Sequence, residues 1–272
     1  MPGKSGNYIK LSLLKTNLFL LSGLDYPSGN GWSLFMPGQT PRTLNHFAFF
    51  RFRQTYHRLD NHQRKELHRQ LLVHLGHAAG HLDIYQIYPT SEAADILVWT
   101  AVEASDPQSP HDFFARFSQA VAPFFDLIEP VHTLWGLTKP SQYTKSRSTQ
   151  EIDPFAKSRK IYLTIYPFTK TSDWYLMSRE ARQGMMNEHI RIGKEYPEIK
   201  QLLLYSFGLQ DQEFVVVYET DDLAQFSDLV YVLRDTEARR FTKSDAPLFT
   251  ALYHKPEETL ALWERRADIE TV

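Results

Sequence analysis

The sequence predicts an α+β fold: two ferredoxin-like β-α-β-β-α-β repeats closing on each other as a dimeric α/β-barrel type domain. Three observations carry this. Stretches of period-2 and of helical-period apolar residues alternate in the order strand, helix, strand, strand, helix, strand. That order occurs twice, at an offset of about 115 residues. The 272-residue length leaves room for two halves of about 130 residues, each able to bury a core.

In the first half the strands are Phe47–Phe52, Leu82–Tyr88, Ile96–Val102 and Val131–Leu137, with helices over Asn61–Leu75 and Pro110–Phe125. In the second half Ile161–Pro167, Lys200–Phe207, Glu213–Thr220 and Pro247–Tyr253 are strands, and Ser178–Glu195 and Asp222–Thr236 are helices. Ser178 caps the first of these helices, with Ala181, Met185, His189 and Ile192 along one face that looks to the core. Asp221 or Asp222 caps the second, over a stripe of Leu223, Phe226, Leu229, Val230 and Leu233, with Arg234 beside its end. Residues 1–45, punctuated by Gly23, Pro27, Gly29, Gly31, Pro37, Gly38 and Pro41, read as an irregular N-terminal arm. The first repeat then runs over 46–138 and the second over 161–272. Between them 139–160 is a locally basic linker (Lys139, Lys145, Arg147, Lys157, Arg159, Lys160), the pattern of a solvated connection.

Composition excludes several classes of function. Thirty basic against 32 acidic residues leave a net charge of -2, which gives no field for nucleic acid or an anionic membrane. With no cysteine, disulfides, zinc-thiolate sites, iron-sulfur clusters and thiol catalysis drop out, and a metal needs His, carboxylate or Tyr. No run reaches the ~20 apolar residues of a membrane span, so a cytoplasmic protein is the expectation. No Gly-rich phosphate loop, G-x-S-x-G elbow or H-E-x-x-H occurs. Aromatics are plentiful, at 18 Phe, 14 Tyr and 5 Trp; they suit a large flat ligand or a sheet core.

Two histidine groups are candidates for metal ligation. His189, a lone imidazole on an apolar helix face, suits an axial ligand of haem iron; a satisfied core histidine is the commoner role for such a residue. His74, His77 and His81 share helical spacing but are interrupted by Gly76 and Gly80, and read as polar residues at a helix end. Tyr166 ends a strand whose face includes Tyr162 and Thr164, and is read as looking into the barrel. It is either a structural phenol or, near a redox centre, an oxidisable one. Gln201 shares a strand face with Leu203, Tyr205 and Phe207.

Tyr166-Pro-Phe-Thr-Lys170, Trp174-Tyr175 and Met185-Met186-Asn187-Glu188-His189 are followed by Tyr205-Ser206-Phe207-Gly208-Leu209, Asp211-Gln212-Glu213-Phe214, Glu219-Thr220-Asp221 and Leu233-Arg234-Asp235-Thr236-Glu237. In order and spacing these resemble the chlorite dismutase-like haem proteins, and within them the coproheme decarboxylases, over Tyr162–Tyr253. The first half matches in pattern only.

The resemblance implies His189 as the proximal iron ligand, Tyr166 as the tyrosine oxidised to a radical, and Lys170 as a partner on the propionate side. It implies Arg234 as a further cofactor-binding residue; Arg239 departs from the family, standing where the decarboxylases carry a serine, and is counted as cofactor-binding because a guanidinium also binds carboxylates. It implies Gln201 at the distal position, where chlorite dismutases carry arginine. Counting from Gly208 selects Gln201 and counting from His189 selects Leu202; Gly208 is the better anchor, because a deletion beside Pro197 is easier than one inside a strand.

The implied activity is peroxide-dependent oxidative decarboxylation of iron-coproporphyrin III (coproheme) to haem b, with coproheme and hydrogen peroxide as substrates. A homopentamer and the coproporphyrin ferrochelatase as partner are implied too. The alternatives are a haem-binding carrier or sensor without turnover, a non-haem protein of the wider barrel superfamily, and chlorite dismutase-like or peroxidase activity, which Gln201 in place of arginine disfavours.

Overall fold

The computed structural model describes residues 42–144 and 148–264. The expected N-terminal arm lies outside these residues except for its last few, which already belong to the first strand, β1 (Thr43–Phe52). The first half continues with α1 (Gln54–His57), α2 (Asn61–Ala78), β2 (His81–Gln86), β3 (Ile96–Glu103), α3 (Gln108–Val121) and β4 (Ile128–Leu137). The second comprises β5 (Tyr162–Lys170), α4 (Ser172–Leu176), α5 (Arg179–Lys194), β6 (Lys200–Tyr205), β7 (Phe214–Thr220), α6 (Leu223–Arg234), β8 (Thr242–Ser244), β9 (Phe249–Tyr253) and α7 (Pro256–Ala261). The elements without a counterpart in the sequence reading (α1, α4, α7 and β8) are three to six residues long, too short for a periodic signal.

Hydrogen bonding gives the strand order β4-β1-β3-β2 in one half and β6-β7-β5-β9 in the other, every pair antiparallel. Each is the ferredoxin-like order. β2 pairs with β9 at one seam and β4 with β6 at the other, so these strands close into a barrel and leave only β8 beyond the ring. Phe47, Phe49, Leu97, Trp99, Leu163, Ile165, Leu202, Leu204, Val215, Val217 and Phe249 fill the interior. In the first half, α2 and α3 lie on the outer face over Ala48, Phe50, Ile84 and Val98. Among the described residues, no helix is long and apolar enough to cross a membrane.

Helix ends follow their caps. Asp60 and Gln63 form a capping box at α2, and the Ser178 hydroxyl accepts from the Ala181 amide at α5. Asp222, not Asp221, caps α6, accepting from the amides of Ala224 and Gln225. Asp221 instead accepts from the Ile161 amide and from Lys160.

The linker is not simply a solvated connection. The Arg159 side chain is 1% exposed; it donates to Asp83 at 2.8 Å, lies 3.6 Å from Glu219 and stacks over Trp99 at 4.2 Å. Its remaining donors reach the carbonyls of Asp153 and Pro154. A guanidinium can be desolvated this far only when its fork is filled, and here strands from both halves fill it. Charge pattern alone reads Arg159 as one more linker cation; its burial depends on acids 76 and 60 residues away along the chain, on β2 and β7.

Two tests follow from the barrel ends. At the β4–β6 seam a Cβ on Gly136 would lie 2.6 Å from Ser206 Oγ and 2.9 Å from the Tyr205 carbonyl oxygen. Gly136→Ala should therefore cost about 1–3 kcal/mol, seen as a lower urea midpoint. Burial, only partly offset by Arg159, pushes the Glu219 carboxyl up to about 7 from its ordinary 4.5. Between those values the native chain holds a proton that the unfolded chain has lost, so this group makes stability fall as pH rises from about 4.5 to about 7. Glu219→Gln should flatten that slope in denaturation measured across the interval.

Candidate functional site

Side chains alternate along β5, β7 and β6, and the register lines up their outward members in rows. Gln201, Tyr218 and Thr164 form one row, Leu203, Val216 and Tyr166 the next, and Tyr205, Phe214 and Phe168 the third. Tyr166 thus stands outside the barrel, not inside; the inward places on β5 belong to Leu163 and Ile165. The same alternation puts Gln201 and Leu202 on opposite faces of β6. Leu202 is sealed in the barrel, whereas Gln201 lies on the outer face beside Tyr218. Backbone bonds to Gln150 and Ile152 of the linker pin Gln201 in place.

Helix α5 packs against α6 and the 3-10 turn Glu237–Phe241, and meets the sheet mainly through Ile192, its one fully buried residue. Ile192 joins Ile199, Tyr218, Phe226 and Leu229, with Tyr166 partly buried against them. Ala181 is exposed, while Met185 and His189 are half-buried, so the predicted face is covered only at its C-terminal end. On the strand side Leu203 remains 41% and Phe207 46% exposed. A helix lying flat on the sheet would have buried both sets. The stripe expected on α6 is likewise shorter, with Phe226 and Leu229 buried and Leu223 exposed.

His189 lies one turn before Ile192. Burial, and then the cation of Lys170, hold its imidazole below the usual 6.5, and Glu188 partly offsets them. Neither ring nitrogen has a hydrogen-bond partner among the described residues. Lys170 is buried at the end of β5, where Nζ donates to the Ala238 carbonyl at 2.9 Å and sits 4.2 Å above the Trp174 ring. Burial and then Arg239 bring its amine down to about 8. Burial, and then the neighbouring Tyr218, keep the Tyr166 phenol well above 10, with the two rings stacked at 6.3 Å.

The two arginines converge on one acid. Asp245 Oδ2 lies 2.9 Å from Arg234 Nη1 and 2.6 Å from Arg239 Nη1. These residues are electrically continuous with the others, Arg234 and Asp245 acting on Tyr166 and Arg239 on Lys170. The fold therefore brings Tyr166, Lys170, His189, Arg234 and Arg239 together, with Gln201 further along the same outer face. Sequence reading missed Tyr218 and Asp245, and quoted Trp174 and Glu213 only within stretches of family resemblance, without a role. Glu213 accepts from the Lys170 amide and the Tyr175 hydroxyl, contacts that its place in the stretch Asp211-Gln212-Glu213-Phe214 does not reveal.

The other histidine set does not assemble. His74 and His77 stay on α2, which runs through Gly76, while His81 begins β2 and pairs with Asp83 at 2.6 Å. Among the described residues no group of three or more His, Cys, Asp or Glu is arranged to hold a metal ion. The donor set around His189 does fit an iron porphyrin: one unpartnered neutral imidazole, half-exposed apolar walls and cations for carboxylates.

Two ferredoxin-like halves closed into one barrel, with an imidazole on a helix over the outer face of the second, define the class of the fold: a dimeric α/β-barrel. The chain belongs to the chlorite dismutase family, whose family model matches residues 49–253. It is 28% identical over 169 residues to a coproheme decarboxylase from Mycolicibacterium smegmatis, covering 61% of this chain and 70% of that one. To a coproheme decarboxylase from Staphylococcus carnosus it is 29% identical over 191 residues, covering 65% and 74%. Among solved structures, a mutant chlorite dismutase from Candidatus Nitrospira defluvii superposes with a TM-score of 0.71 at 21% identity, over 82% of this chain and 96% of the other. The imidazole complex of that organism's enzyme gives 0.69 at 19% identity, over 82% and 95%.

The coupling between Lys170 and His189 is measurable without any ligand. In Lys170→Gln the His189 imidazole should titrate at higher pH than in the wild-type chain, followed by NMR of ring-labelled histidine. Burial remains, so the value should stay below that of an exposed histidine.

Proposed function

We propose that the chain is an oxidoreductase that binds iron-coproporphyrin III on the outer face of β5–β7–β6 and, with hydrogen peroxide, decarboxylates two of its four propionates to give haem b. The observation that carries this reading is the unpartnered His189 imidazole beside Tyr166, Lys170 and two arginines. The coproheme decarboxylases among its relatives support it. So does Gln201, a neutral amide where a chlorite-splitting site requires a cation.

The bound iron porphyrin supplies the reactivity toward peroxide. Each propionate loses carbon dioxide, one proton and two electrons to become a vinyl group, and one peroxide takes up the two electrons, that proton and a second one from solvent to leave as two waters. His189 offers a neutral nitrogen, because burial and the nearby ammonium both disfavour its protonation. Tyr166, kept protonated by burial, yields electron and proton together, and its phenoxyl takes a hydrogen atom from the propionate chain. Lys170, with its amine brought down to about 8, orients a carboxylate or serves as a proton source. A pentameric assembly and supply by the coproporphyrin ferrochelatase are parts of the same reading, supported by the sequence resemblance alone, and a cytoplasmic location is proposed with them.

Ferric coproporphyrin III added to the purified chain and titrated with peroxide should lose two carboxyl groups by mass spectrometry. Binding without loss would make the protein a carrier, and no spectral change on mixing would remove the porphyrin reading. Tyr166→Phe should retain binding and abolish decarboxylation; turnover by this variant would take the radical role from Tyr166. His189→Ala should change the Soret band, and an unchanged band would place the ligand elsewhere.

A further inference from the structure

Asp245 has no place in the roles above, and its surroundings point to one. Its Oδ2 is shared by Arg239, which donates a hydrogen bond at 2.6 Å, and Arg234, at 2.9 Å. Neither guanidinium has another hydrogen-bond or ion-pair partner among the described residues, so each keeps most of its five donors unspent. Both arginines are partly exposed, at 43% and 34%, while Asp245 is at 22%. Two such cations side by side repel each other and, unheld, sample many rotamers. One carboxylate between them cancels part of the repulsion and fixes both forks. Lys170 approaches from β5, its Nζ tied to the carbonyl of Ala238, the residue before Arg239. Three cations thus arrive from a strand end, a helix end and a 3-10 turn, beside the Tyr166 phenol.

We infer that Asp245 is a positioning residue that clamps Arg234 and Arg239 into a preorganised cradle for those propionate carboxylates of the porphyrin that lie at the Tyr166 edge. This rests on the porphyrin reading above and extends it: the cradle selects a four-carboxylate porphyrin over its two-carboxylate product, because the carboxylates at this edge are the ones the reaction removes. Preorganised guanidinium forks bind carboxylates bidentately at a lower ordering cost than free ones.

The test compares iron(III) coproporphyrin III, with four propionates, and haem b, with two, in equilibrium titrations of the wild-type chain, Asp245→Asn and Asp245→Glu. The wild-type chain should prefer the four-carboxylate ligand. Asp245→Asn should lose about tenfold in affinity for that ligand while changing affinity for haem b by less than about threefold. Asp245→Glu keeps the charge and moves the oxygen, and should show a smaller loss with the same selectivity. Equal losses for both ligands would make Asp245 a structural residue and overturn the clamp, as would unchanged binding. Tighter binding of coproporphyrin by Asp245→Asn would show the acid to be a competitor for the arginines, and also overturns it. A wild-type chain that takes up neither porphyrin removes the porphyrin reading itself, and the clamp with it. If Asp245→Asn does not fold, the Asp245→Glu comparison still decides, since an unselective or absent effect there overturns the clamp.

Discussion

Side-chain alternation on three neighbouring strands is the constraint from which the rest of this molecule follows. Closure of the barrel fixes the register of β5, β7 and β6 and commits one member of each pair to the interior. A slip of one residue would turn Leu163, Ile165, Leu202, Leu204, Val215 and Val217 outward and bring Tyr166 and Gln201 inside, a rearrangement that the loss of core burial forbids. Stability and site geometry are therefore specified by the same residues. The buried Arg159 cluster reinforces this, because it joins Asp83 of one half to Glu219 of the other at a barrel end.

The helix over that face is treated differently from its counterpart in the first half. α2 packs onto its sheet through Leu67, Leu71 and Leu75, whereas α5 buries only Ile192. What α5 gives up in packing it keeps as accessible chemistry: an imidazole without a hydrogen-bond partner among the described residues, held neutral by low solvation and a nearby cation. The polar residues around it are held mostly by backbone. Lys170 is tied to the Ala238 carbonyl, and the Glu237 amide donates to Glu188, the neighbour of His189. The 3-10 turn thus links α5, the end of β5 and the arginine pair in one small region.

Much of this was legible in the sequence, for physical reasons that can be named. The doubled strand-helix order survives because periods of 2 and 3.6 are local properties, and the Ser178 cap lies where a serine before a helical stripe places it. What period cannot say is which face of a strand is inside once both faces carry large apolar groups. Tyr166 was accordingly read as pointing into the barrel, and only the partners of β5 show otherwise. The Tyr166–Tyr218 pair and the Asp245 clamp join residues that are distant in sequence or separated by a turn, and no spacing rule connects them. Arg159 was misread for the same reason.

The central claim is that the outer face beneath His189, and not the barrel interior, is where an iron porphyrin sits. Crystals grown with iron(III) coproporphyrin III and measured at the iron absorption edge test it most directly. A single anomalous peak should lie at ligating distance from the His189 imidazole, between α5 and the row of Leu203, Val216 and Tyr166. A peak inside the barrel, or beside any other histidine, would contradict it.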